Sequence, residues 1–255
     1  MFVKATIAIS ALAGLAYAQT GETVTTGQAV TAVNPDDGIG AGTDAYTQYS
    51  GDGSTGAGWP DISAWVSYSD MWTANTPLMQ ASCENLGYGD NDSDDEIQAI
   101  ADAIDAVATA TFVDHRFILA VIMQESKGCV RAITSNYGVS NPGLMQDHDG
   151  ASTCNPGSEG SAQAVSPCPA EQISGMISDG TAGTEAGAGL AGCLNTATGQ
   201  GAQAFYQAAR IYNSGSIDAS GALEAGIATH CYSSDIANRL TGWVSAQTTC
   251  TFDPQ

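Results

Sequence analysis

The stretch "FILAVIMQESKG", residues 117–128, is apolar for seven residues and polar within the next three. Phe117, Ile118, Val121 and Ile122 form one helical face. The flanking Leu119, Ala120 and Met123 are apolar too, so the segment reads as a helix buried on most sides. Asp114 opens it and Gly128 ends it. Glu125 stands where the apolar run stops. A carboxylate in the last turn opposes the helix dipole, and burial raises a carboxyl pKa. Taken alone, such a glutamate also reads as an ordinary surface residue near a helix end. A carboxyl that stays protonated near neutral pH is, however, what a general acid requires.

Outward from this helix the pattern stays helical. "DSDDEIQAIADAIDAVATATF" carries a cap at Ser93 or Asp94, an acid in the first turn at Glu96, and an apolar face of Ile97, Ile100, Ala101, Ile104 and Val107. "PAEQISGMISDG" reads as a short helix. "GAQAFYQAARIYNSG" reads as a strong one, with Phe205, Ala208, Ala209 and Tyr212 on one side, stopped at Gly215. "SSDIANRLTGWVSA" reads as the last. Residues 135–170 are loop-like and residues 180–202 are rich in Gly and Ala. The expected fold class is mainly α, with one domain over 59–255 that starts at the tryptophan cluster after Trp59.

Residues 19–58 are rich in Gly, Thr, Ser and Asp and poor in large aliphatics. Such a stretch buries little surface against its ordering entropy and reads as a flexible arm. "ETVTTGQAVTAV" within it alternates weakly, as a strand would. Residues 1–18 have a positive Lys4, a short apolar run and Ala16-Tyr17-Ala18, the form of a secretory signal. The expected mature chain of about 237 residues begins near Gln19 and works outside the cell.

Loss of residues 1–18 removes Lys4 and no acid, leaving five basic residues against 27 acidic ones and a net charge of −22. That surface repels nucleic acid and anionic membranes. The five basic residues are Arg116, Lys127, Arg131, Arg210 and Arg239. Seven cysteines in an exported chain imply disulfides, at most three with one sulfur over, and the spacing does not set their pairing. No C-x-x-C zinc pattern is present, and no metal or cofactor is expected.

"VDHRFILAVIMQESKG", then "GLMQ" at 143–146, then "ARIYNSG" at 209–215 occur in that order. Together they resemble the three signature segments of the soluble lytic transglycosylase and goose-type lysozyme group, over roughly residues 110–215. The chain as a whole resembles secreted fungal members of this lysozyme-like superfamily. The resemblance implies a lysozyme-like α fold that cuts the β-1,4 link between N-acetylmuramic acid and N-acetylglucosamine. Glu125 matches the family's catalytic acid and Ser126 the motif serine beside it. Gly143, Leu144, Met145 and Gln146 match the turn that lines the sugar cleft. Tyr212 and Asn213 match the pair that reaches back towards the acid and the sugar. Core packing is the alternative for Met145 and Tyr212, and a satisfied turn for Gln146.

Two residues past Gln146, where goose-type enzymes place an aspartate, stands His148, flanked by Asp147 and Asp149. Asp147 is the candidate second carboxylate for positioning water, with Asp149 behind it, and His148 a cleft-loop residue. A transglycosylase needs only one glutamate, because the substrate's own groups complete the reaction. The expectation is a monomeric secreted muramidase acting on peptidoglycan. The alternatives are anhydro-product formation, chitin or chitosan in the same cleft, and a non-catalytic glycan-binding protein.

Overall fold

The computed structural model describes residues 21–253; the expected signal at 1–18 lies outside them. Among the described residues the fold is mainly α. Seven helices run in order: α1 (Tyr68–Leu86), α2 (Asp94–Thr111), α3 (His115–Glu125), α4 (Ala170–Ala182), α5 (Leu190–Thr196), α6 (Ala202–Ser214) and α7 (Tyr232–Leu240). A single short antiparallel hairpin, β1 (Ser135–Asn136) and β2 (Ser140–Asn141), pairs Ser135 with Asn141. No described helix is long and apolar enough to cross a membrane.

α3 is the axis of the core. Every residue from His115 to Met123 is buried, and α1, α2 and α7 pack around it. Full burial of a large apolar side chain is worth roughly 1.5–3 kcal/mol, so the apolar run at 117–123 is a large share of what organises the molecule. α2 starts on a capping box: the Ser93 hydroxyl accepts from the Glu96 amide while the Glu96 carboxylate accepts from the Ser93 amide. Its face of Ile97, Ile100, Ile104 and Val107 is buried as the periodicity requires.

Two helices lie where the sequence pattern is weak. α1 contains Pro77, which removes an intrahelical donor. Around it the Thr73 and Thr76 hydroxyls donate to the Ser69 and Trp72 carbonyls. α5 forms inside the Gly/Ala-rich stretch. α7 stops at Leu240, short of the expected end, and Gly242 (φ +111°) then turns the chain to Trp243.

Residues 21–58, read as a flexible arm, are a strap laid along the helices. They have little regular structure apart from a 3₁₀ turn at Thr55–Ala57, and none of the strand suggested for "ETVTTGQAVTAV". Polar bonds fasten them. The Val24 and Val30 amides donate to the carbonyls of Thr111 and Phe112. Thr47 exchanges two bonds with the Asn238 side chain, at 2.7 Å each. Asp37 pairs with His115 and Arg116. A Cβ on Gly38 would lie 2.2 Å from the Val66 carbonyl carbon, so the glycine is what lets the strap reach the core. The same Gly/Ser/Asp composition that lowers apolar burial supplies these close approaches and caps.

Three disulfides form: Cys83–Cys129, Cys154–Cys168 and Cys231–Cys250, leaving Cys193 free and buried. The first lies beside Arg131, whose guanidinium is ion-paired to Asp92 at 2.9 Å and to Glu96 at 2.6 Å. Glu96 also accepts the Cys168 amide at 2.7 Å. This cluster ties the start of α2 to both disulfide-bearing loops.

Candidate active site

Glu125 is the last residue of α3 and is partly open to solvent, whereas the nine residues before Gln124 are closed to it. The Tyr232 hydroxyl, from the first turn of α7, donates to its Oε1 at 2.5 Å. Burial raises the carboxyl pKa to about 7, against the opposing pull of that hydrogen bond and of the Lys127 and Arg239 charges. The carbonyl end of α3 adds in the same direction as burial. The acid is therefore largely protonated below neutral pH.

Hydrogen bonds gather the other signature segments around it. Ser126 is buried, and its hydroxyl donates to the carbonyls of Ile122 (3.1 Å) and Leu144 (2.8 Å). That bond ties the end of α3 to the 143–146 turn. The Tyr212 hydroxyl, from α6, donates to the Met145 carbonyl at 2.8 Å. Tyr212 also feels the charges of both Asp147 and Glu125, which with burial push its phenol well up. Three stretches far apart in the chain thus meet within one corner.

The side chains of the turn do not all face outward. Leu144 and Met145 are fully buried, and Met145 lies against Gly180 and Thr181 of α4. They belong to the core, so neither side chain is available as the expected sugar contact. Gly143 has φ +67°, and a Cβ there would meet the Met176 sulfur at 2.1 Å; the glycine allows the turn to sit on α4. Gln146 adopts φ +47°, and its Nε2 donates to the Ile133 and Gly143 carbonyls. Its amide nitrogen holds the turn and is not free for an acetamido group. Ser126 likewise positions rather than touches, being sealed from solvent.

Asn213 also departs from expectation. Its Oδ1 accepts a short bond from the Arg210 guanidinium, which in turn donates to the Leu223, Thr229 and Ile227 carbonyls. It braces the 215–230 loop. His148 is exposed, about 3.9 Å from Asp149, and its carbonyl accepts from Thr184. Asp147 is 2% exposed and neither carboxylate oxygen has a hydrogen-bond partner. Burial, and then the charge of Asp179, raise its pKa to about 8. A carboxyl held protonated up to about pH 8 is not ionised at neutral pH, as the water-activating base expected there would have to be.

Several residues of this corner are not among the candidate site residues of the sequence. Tyr232, Asp235 and Arg239 are spaced three and four apart on α7 and share the face towards α3. Gln124 bridges the latter two: its Nε2 donates to Asp235 and its Oε1 accepts from Arg239, both at 2.9 Å. Tyr46 of the strap donates to Asp235 at 2.6 Å. Arg239 lies over the Trp243 ring at 4.4 Å. Lys127 caps α3 through the Met123 and Gln124 carbonyls. The spacing on α7 was the available signal; its target was not.

Two concavities are described. One, of about 880 Å³, is lined by Glu22, Asp149, Asp179 and residues 182–188; the other, of about 290 Å³, lies at Gln28, Asp114, Arg116 and Phe205. Glu125 lines neither. Among the described residues, two clusters have the composition of a metal site. Cys83, Asp92 and Cys129 include a disulfide. Asp37 and Asp114 already pair with the Arg116 guanidinium, and His115 with Asp37, so an ion would have to displace these pairings. No family model, curated protein or solved structure matches this chain.

Proposed function

We propose that the chain is a secreted glycosidase of the muramidase type, with Glu125 as the general acid that protonates the leaving oxygen of a β-1,4 link between N-acetylhexosamine units. One observation carries the reading. A carboxyl at the end of a buried helix is kept largely protonated below pH 7, is oriented by a single phenol, and still reaches solvent. The Ser126–Leu144 and Tyr212–Met145 bonds support it by holding the turn and α6 beside the acid. The three disulfides suit an oxidising compartment, as the proposed secretion requires.

The burial of Asp147 favours a second reading of the same site. With no ionised carboxylate assigned to water, the substrate's acetamido group and 6-hydroxyl complete the reaction, and the products carry anhydro ends. Mass spectrometry of peptidoglycan digests separates the two. Reducing ends support hydrolysis and anhydro ends support transglycosylation. No release from peptidoglycan, chitin or chitosan, with Glu125→Gln behaving as the parent, removes both and leaves a glycan-binding role.

A further inference from the structure

The 143–150 segment is clamped on all sides. Ser126 and Tyr212 hold the Leu144 and Met145 carbonyls. Thr184 holds the His148 carbonyl, and the Asp149 amide donates to Ser140 at 2.8 Å. The odd member is Asp147. It is the one buried ionisable group of the segment, 2% exposed, and its two oxygens have no hydrogen-bond partner. It is wedged under Gly150, where an added Cβ would lie 2.2 Å from Oδ2. The amides that could serve it do not: those of Ala151 and Ser152 donate to Asp179 of α4.

We propose that Asp147 is an acid latch: protonated, it lets the 143–150 segment close on α4 and α6 and complete the corner around Glu125, and ionised, it drives that segment open. The latch itself stands apart from the glycosidase reading; only its consequence for activity rests on that reading.

The groups facing Asp147 push in one direction. Asp179 on α4 is a like charge, and Tyr212 on α6 is a neutral phenol already burdened by the charges of Asp147 and Glu125. His148 and Asp149, in its own segment, turn to solvent and are about half exposed. Its own amide lies close enough to soften the effect but out of hydrogen-bonding geometry. Among the described residues, Asp147 belongs to no trio of His, Cys or carboxylate groups close enough to share an ion. A proton is therefore the occupant that the geometry favours over a cation.

The sign follows from linkage. Asp147 has a folded pKa near 8 against an ordinary 3.8. The closed state thus holds a proton that the open state releases across that window. Opening should rise about tenfold per pH unit between roughly pH 4 and pH 8, then level off.

The test is hydrogen exchange by mass spectrometry on the full chain with disulfides intact, between pH 5 and pH 8, corrected for intrinsic exchange. Peptides covering 143–150 should lose protection about tenfold per unit in the parent, and more steeply than peptides of α2. Asp147→Asn should flatten that slope even if its starting protection is lower. A parent without a slope, or an Asp147→Asn variant that keeps it, overturns the proposal. So does recovery of protection in millimolar Ca²⁺ that requires Asp147, since a cation would then be the occupant. If Asp147→Asn does not fold, the slope is read in Glu125→Gln, which removes the other strongly raised carboxyl of the corner: a slope that persists supports the proposal and one that vanishes overturns it. None of these readings needs substrate, so a Glu125 without catalytic role leaves the result intact.

Discussion

Asp92 and Glu96 lie buried at the start of α2 under one guanidinium, that of Arg131, and take backbone amides from Val130, Ser93 and Cys168. Glu125, partly open to solvent, and Asp147, buried, lie at the candidate active site, where the Tyr232 phenol donates to Glu125 alone. The chain has very few cations, and it commits one of them wholly to the first pair. Glu96, paired and bonded on every side, has its pKa lowered and is held charged, whereas burial raises Asp92 to about 7 in spite of Arg131 and the Val130 amide. A carboxyl left with little but burial is held neutral and remains able to give up a proton. Under the proposed function, the difference between the two regions is that between a structural and a chemical use of the same side chain.

The largest expected effect breaks the chemical half. Glu125→Gln should lower turnover on a susceptible glycan by about 10²–10⁴-fold, measured as initial rate, with the circular-dichroism spectrum unchanged. The same variant sharpens the comparison in stability. Because the folded pKa of Glu125 is near 7 and its ordinary value 4.5, the parent loses stability as pH rises through that window. Glu125→Gln should melt with the parent at pH 4 and above it at pH 8, by about 1–3 kcal/mol. Equal melting at both pH values would contradict a proton-holding Glu125.

Next comes the structural half. Arg131→Met leaves two buried carboxylates without their cation and should destabilise the fold by about 3–5 kcal/mol, read from urea unfolding at pH 7. As pH falls and the two acids take up protons, the deficit should shrink. A smaller effect is expected of Tyr232→Phe. It removes the donor that favours the charged form of Glu125, so the alkaline limb of the pH–rate profile should move up, with turnover reduced about tenfold. A shift of that limb to lower pH would reverse the assignment. The smallest effect is that of Ser126→Ala, which cuts the tie to Leu144 and should cost about 1–2 kcal/mol with the pH profile unmoved.

The strap shows where composition misleads. Low aliphatic content is a sound reason to expect disorder, yet residues 21–58 contribute acceptors and glycines that meet the helices at fixed points. Asp44 alone accepts from the amides of Val244, Ser245 and Ala246. Those partners are about 200 positions away, and no local pattern announces them.

By itself the sequence determined the helices whose apolar period is strong, the buried axis at 117–123, the place of Glu125 at its end, the three-segment constellation and the presence of one unpaired cysteine. These follow from local periodicity, capping residues and counting, which need no knowledge of neighbours. Only the tertiary structure decided which side chains of the turn face inward, that Asp147 has no partner, that Asn213 serves Arg210, and that Tyr232 meets Glu125. Most of these depend on which distant backbone or side chain occupies the adjacent space: Tyr232 and Glu125 are 107 residues apart, and Asn213, though three residues from Arg210, follows a guanidinium drawn to the carbonyls of Leu223, Ile227 and Thr229, so burial and hydrogen bonding here are properties of the packed chain.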